Sequence, residues 1–179
     1  MGKKKQWNKD KTKFLYPSRI EQHAFHLAGH AIMYLALGMD FKYVTIESSK
    51  TDGMSYEKDG IRYQSAAQIV FKKPKLIGRR EIILTSLAGP FAEDIRCHRK
   101  IDWKSKPENA EDYSLAFSAA KGDFPDEAKV CKFMDRLADE TVDILMKHRK
   151  AVVDLAVAIV RYRTVTYEAA RLIFSQPAP

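Results

Sequence analysis

Cysteine is nearly absent from this chain: Cys97 and Cys131 are the only two in 179 residues. That count excludes a disulfide framework and a cysteine-rich zinc module. Long apolar runs are missing as well. The longest, Ala31–Met39, contains a glycine, whereas a membrane-spanning helix needs about 18 or more apolar residues. With 8 glycines and 7 prolines, the chain is neither collagen-like nor rich in linkers. No G-x-x-x-x-G-K-[ST] phosphate loop and no internal repeat occurs, which excludes ATP hydrolysis by that route. The basic start Met1-Gly2-Lys3-Lys4-Lys5 is followed by no apolar stretch, so a signal peptide is not expected and a reducing, cytoplasmic setting is.

What is present is a globular composition of one-domain size, 45% hydrophobic and 30% charged. Lys and Arg number 31 against 23 Asp and Glu, a formal charge of +8. Much of the excess lies in a tail: Lys3, Lys4, Lys5, Lys9, Lys11 and Lys13 fall in residues 1–16, which read as a disordered basic arm. Further clusters lie around Lys72–Arg80 and Arg96–Lys106. Lysine tails and solvated helix faces account for such clusters more often than nucleic-acid surfaces do, so nucleic acid is the weaker expectation.

Local signals give a mostly helical α+β chain. Ser18 and Glu21 match the S-x-x-E capping box, opening a helix over 19–37 that Gly38 stops. Phe41–Ser48 alternates aromatic and β-branched residues as a strand does. Asp59-Gly60 between MSYE and IRYQ predicts a hairpin over 54–64. Residues 79–100 read as a helix that Pro90 should kink or split, because proline lacks an N–H and clashes one turn back. A polar loop at 104–108 precedes a short helix over 109–120, broken by Gly122, Asp123 and Pro125. A long amphipathic helix over 125–147 buries Val130, Phe133, Leu137, Val142 and Leu145, and two further helices cover 151–162 and 167–174.

The chemistry-bearing feature is His26-Leu27-Ala28-Gly29-His30. Four residues of helix turn through about 400°, so the two imidazoles stand one above the other, about 40° apart. One helix face can clamp a metal ion that way, and imidazole suits zinc. Gly29 inside the helix costs about 1 kcal/mol relative to Ala, which calls for close approach of a neighbouring segment. His23 lies about 10 Å along the axis from His30 and does not reach the same ion comfortably. Cys97, His98 and Cys131 could in principle ligate metal, but Cys97 and His98 are adjacent, point to different helix faces and make a poor pair. The zinc-peptidase signature H-E-x-x-H uses its Glu as general base, and Leu27 stands at that position.

Beyond the motif, FHLAGHAIMYLALG resembles the H-E-A-G-H-A helix of the FtsH family of zinc metallopeptidases. KYVTIES is similar to that family's V-T-I strand, SLAGPFAED to its L-x-G-R-A-A-E-E helix, and NAEDYSLA to its N-D-[IL]-x-x-A-T segment. The closing Ala- and Leu-rich helices also resemble the family's C-terminal bundle, so the likeness extends from about Ser18 to Phe174. It implies a zinc ion held by His26, His30 and Asp112, with Glu93 orienting a zinc histidine. Read alone, Asp112 fits a helix-start carboxylate and Glu93 a solvated helix face. The likeness also implies a core over 17–122, with 123–179 forming a helical bundle of the same domain.

Three departures accompany the resemblance. Members of that family place a membrane segment and an AAA ATPase module ahead of the peptidase, and these 179 residues contain neither. The R-A-A segment is Pro90-Phe91-Ala92 here, and Leu27 replaces the base. A natural relative that lost its base and a substitution that silences the site both fit Leu27. The expectation is therefore a zinc metallopeptidase-type domain directed at polypeptide and inactive as written. A pseudopeptidase that binds polypeptide along the strand edge near Val44 is the alternative. Self-association into a homo-oligomer is compatible with either.

Overall fold

The computed structural model describes residues 19–47, 55–58, 61–64, 68–71, 77–101, 103, 110–122, 124 and 126–176. The arm, Ser18 of the expected cap, the Asp59-Gly60 turn and the loop at 104–108 lie outside them. The described residues form an α+β, mostly helical structure. In chain order its elements are α1 (Arg19–Ala36), β1 (Tyr43–Thr45), β2 (Ser55–Lys58), β3 (Ile61–Gln64), β4 (Gln68–Val70), α2 (Arg79–Cys97), α3 (Ala110–Lys121), α4 (Glu127–Lys147), α5 (Arg149–Tyr162), β5 (Thr164–Thr166) and α6 (Tyr167–Phe174). No helix among them is long and apolar enough to cross a membrane.

α1 ends where Gly38 places it. Gly38 adopts φ +67°, its N–H donates to the Leu35 carbonyl at 3.0 Å, and the Met39 N–H donates to the Tyr34 carbonyl at 2.8 Å. These two bonds satisfy the last carbonyls in a Schellman motif. Two other helices begin on side-chain caps: Asp126 accepts from the Ala128 N–H at 2.9 Å, and Thr166 accepts from the Ala169 N–H at 3.3 Å.

α1 and α2 cross at the centre of the molecule, and small residues let them approach closely. Gly29 of α1 meets Ala88 and Ala92 of α2, both buried. A Cβ on Gly29 would stand 2.3 Å from the Ala88 carbonyl oxygen and 2.6 Å from the Ala92 Cβ. Gly29 therefore buys the close approach that its helix-propensity cost implied. Around this contact Ile32, Ile83, Leu84, Leu87 and Phe91 are fully buried, and α5 closes the other side of α1. Truncating any of these large side chains to Ala costs about 2–5 kcal/mol.

The small sheet has the antiparallel order β4-β1-β5, with Val44 opposite Ile69 on one side and Val165 on the other, so the expected strand edge near Val44 is not free: β1 is the central strand, paired on both sides. β2 and β3 form the expected hairpin, separate from that sheet.

Several expectations need correction. α2 is one continuous helix through Pro90 and is not split there. Proline deletes one backbone bond, but every residue from Ile83 to Ala92 is buried, so packing outweighs the loss. The helix stops at Cys97, because His98 turns left-handed at φ 50° and closes the end. The strand over 41–48 is shorter, Tyr43–Thr45. β4 and β5 were not expected as strands. β5 interrupts what reads as the closing helical bundle and joins that bundle to the sheet. Of the apolar set on α4, Val130, Leu137 and Leu145 are buried, whereas Phe133 and Val142 are only half-buried. Met134, Ala138 and Thr141 share the buried face.

Candidate metal centre

Three elements bring the site together. α1 supplies His26 and His30, α2 supplies Glu93 and the Thr85 carbonyl, and the first turn of α3 supplies Asp112. The His26 Nδ1–H donates to Glu93 Oε1 at 2.7 Å, and the His30 Nδ1–H donates to the Thr85 carbonyl at 2.6 Å. These bonds fix the tautomer of each ring and turn both Nε2 lone pairs inward. The two Nε2 atoms face each other at 2.9 Å. Two lone pairs at that distance repel unless a cation lies between them, either a shared proton or a metal ion.

Asp112 faces both rings, with Oδ2 at 3.2 Å from His26 Nε2 and Oδ1 at 3.7 Å from His30 Nε2. Ligands about 2.0–2.1 Å from a tetrahedral ion stand about 3.3–3.4 Å from one another. The observed 2.9, 3.2 and 3.7 Å bracket that edge. The donor set therefore fits a metal ion by chemistry and by size. Among the described residues, His26, His30 and Asp112 are a group of His, Cys, Asp and Glu side chains close enough to hold one. Their side chains are 15–25% exposed, so the site opens to solvent.

The electrostatics follow from this geometry. Burial opposes the charged form of His26, but hydrogen bonds to Asp112 and Glu93 and their charges outweigh it and push this imidazole up to about 9. Burial and the charge on His26 push His30 down to about 4. Burial also opposes ionisation of Asp112, yet the His26 hydrogen bond and the charge of both rings hold its carboxyl below the usual carboxylate range. In the metal-free protein, Asp112 and Glu93 thus favour the protonated form of His26 over that of His30.

Gly89 makes room for this arrangement. A Cβ there would lie 2.3 Å from His30 Nε2 and 2.7 Å from the ring carbons on either side of it. Arg99 backs the site from the end of α2, with its Nη2 3.6 Å from Glu93 Oε2 and its Nε 2.9 Å from the buried Asp94 Oδ1. Tyr34, one turn beyond His30 on α1, stacks edge-on against Phe71 at 5.1 Å. Burial pushes its hydroxyl up, against the effect of the Thr85 side chain to which it is hydrogen-bonded.

The structure brings His26, His30, Asp112 and Glu93 together. Leu27 is 5% exposed and belongs to the hydrophobic core. His23, Cys97, His98 and Cys131 do not form part of the cluster. Sequence reasoning missed Thr85, Gly89 and Arg99. Gly89 had left a signal, since a second mid-helix glycine demands a reason as much as Gly29 did.

Fold and site thus define a small helical α+β protein with a His–His–carboxylate cluster able to hold a metal ion. A scan against protein-family models finds no match, and a search of curated proteins finds no relative.

Proposed function

We propose that this chain is an FtsH-type zinc metallopeptidase domain that holds zinc and engages polypeptide, but lacks the base needed to hydrolyse it. The observation that carries this reading is the convergence of His26 Nε2, His30 Nε2 and the Asp112 carboxylate, each ring oriented from behind by α2. Three protein ligands that leave a solvent-facing position are the pattern of catalytic rather than structural zinc sites.

Zinc in such a site polarises a peptide carbonyl and lowers the pKa of water. The chain's own residues supply orientation. Glu93 and the Thr85 carbonyl hold the rings, and Arg99 helps hold Glu93. Peptide hydrolysis also needs a group that takes a proton from water and passes one to the leaving amine, a contribution of about 10²–10⁴-fold. Leu27 is an alkyl group directed into the core and does neither. Glu93 is another carboxylate beside the site, and its Oε1 is committed to His26. With Leu27 in the core, that position supplies no base to the site.

The test combines metal content with turnover. The purified chain should take up about one zinc and hydrolyse casein negligibly, while Leu27→Glu, checked for fold by circular dichroism, should gain chelator-sensitive cleavage. Equal cleavage by both proteins would show that the base lies elsewhere. Failure to bind zinc would remove the peptidase reading altogether.

A further inference from the structure

A second surface lies on α5, in a groove of about 500 Å³ that α1, α2 and the end of α4 complete. α5 lines it with a stripe that begins at Arg149, runs through Val153, Ala156, Val157 and Val160, and ends at Arg161. These positions recur at three- and four-residue steps, the spacing of one helix face. Among the described residues its outer side stays open, with Val157 58% and Val153 38% exposed, while Ala156 is buried at its floor. The opposite wall carries Phe25 and Ile95, with the Arg96 guanidinium 5.3 Å from the centre of the Phe25 ring. Arg149 and Arg161 make no ion pair among the described residues. Glu21 is the one acidic side chain in the lining.

We propose that this groove docks an amphipathic helix of a polypeptide partner whose apolar face is flanked at both ends by acidic residues. Charge placement selects this occupant. Arg149 and Arg161 are twelve residues apart on one helix, about 18 Å along its axis. A single-headed amphiphile such as an acyl carboxylate answers one end and leaves the other unmatched. A helix carrying acids about 11 or 12 residues apart answers both ends while its apolar side chains fill the floor between. The chain's own basic arm is repelled by the same arginines. A second copy, presenting the same groove about a two-fold axis, sets arginine against arginine. The proposal does not rest on the metal reading, because none of the groove residues named is a proposed ligand.

The test uses the full chain, with and without zinc, and two display pools of helices about 16 residues long. Each pool randomises Leu, Ile, Val, Met and Phe at the i, i+4 and i+7 positions, with Glu at i−2 and i+9 in one pool and Lys at the same two positions in the other. The Glu-ended pool should yield saturable binders, and Val157→Glu should weaken them at least about tenfold. Arg149→Glu combined with Arg161→Glu should shift preference to the Lys-ended pool. All three side chains are exposed, so the variants should retain the parent circular dichroism spectrum. No enrichment, equal enrichment from both pools, or undiminished binding by Val157→Glu would overturn the proposal. So would a concentration-dependent dimer in sedimentation that Val157→Glu abolishes, which would make a second copy the occupant.

Discussion

Gly89→Ala separates the metal centre from the fold more cleanly than removal of a ligand does. On helix propensity alone the substitution should stabilise α2 by up to about 1 kcal/mol, since Gly is the poorer helix former. The structure gives the opposite sign for the site. The new Cβ would stand 2.3 Å from His30 Nε2, more than 1 Å inside ordinary contact. The obstructing atom belongs to a side chain, so the backbone need not move, and the ring yields instead. It yields only by leaving the 2.6 Å bond to the Thr85 carbonyl and moving the Nε2 that points at Asp112 and His26. Orientation of a ligating histidine by its partner is worth about 10–100-fold in metal affinity, and here orientation and position are lost together, so zinc affinity should fall by about 100-fold or more. Competition against a chromophoric chelator measures that loss, and thermal melts of the metal-free proteins measure the fold. The expected result is a metal-free melting temperature within a few degrees of the parent's, together with weakened zinc binding. Parental zinc affinity in Gly89→Ala would refute the placement of the metal beside His30 Nε2.

The other expectations follow from the same geometry. Gly29→Ala drives its Cβ against the Ala88 carbonyl, a backbone atom, so α1 and α2 must part; the metal-free protein should lose about 1–3 kcal/mol in denaturant melts. Glu93→Gln keeps the shape but removes the charge behind His26, and zinc affinity should fall about 10–100-fold in the same competition assay. Stability of the metal-free protein should peak near neutral pH. His26 is raised from 6.5 to about 9, so its contribution is complete below 6.5 and lost as pH rises through about 9. His30 is lowered from 6.5 to about 4, so its contribution is complete above 6.5 and lost as pH falls through about 4. Urea melts across that range should show both flanks, and His26→Ala should flatten the alkaline one.

Helices were legible where the signal is local. The i, i+4 pair His26 and His30, the Gly38 stop and the apolar face of α4 all lie within one element, and periodicity reads them directly. β4 and β5 were not, because each is three residues long and exists only through pairing with β1; Val165 meets Val44 from more than a hundred positions away. The split at Pro90 does not occur for a related reason: the rule that proline breaks helices is local, whereas the burial of residues 83–92 is tertiary. The metal cluster divides in the same way. Its histidines follow from spacing, but Asp112 and Glu93 come from other helices, and only the resemblance singled them out. The Thr85 carbonyl is a backbone atom that no residue pattern marks. Gly89 was readable in principle, since a helix that keeps a glycine in its interior needs something close beside it.

On the proposed reading, His26, His30 and Asp112 hold a zinc ion where α1, α2 and α3 meet. X-ray absorption at the zinc edge, on protein loaded with one equivalent, tests it most directly. The expected spectrum shows imidazole scattering from two rings, oxygen or nitrogen neighbours at about 2.0–2.1 Å and no sulfur shell at about 2.3 Å. The two-ring signature should disappear from the His30→Ala protein. A sulfur shell, or an unchanged spectrum in His30→Ala, would contradict that reading.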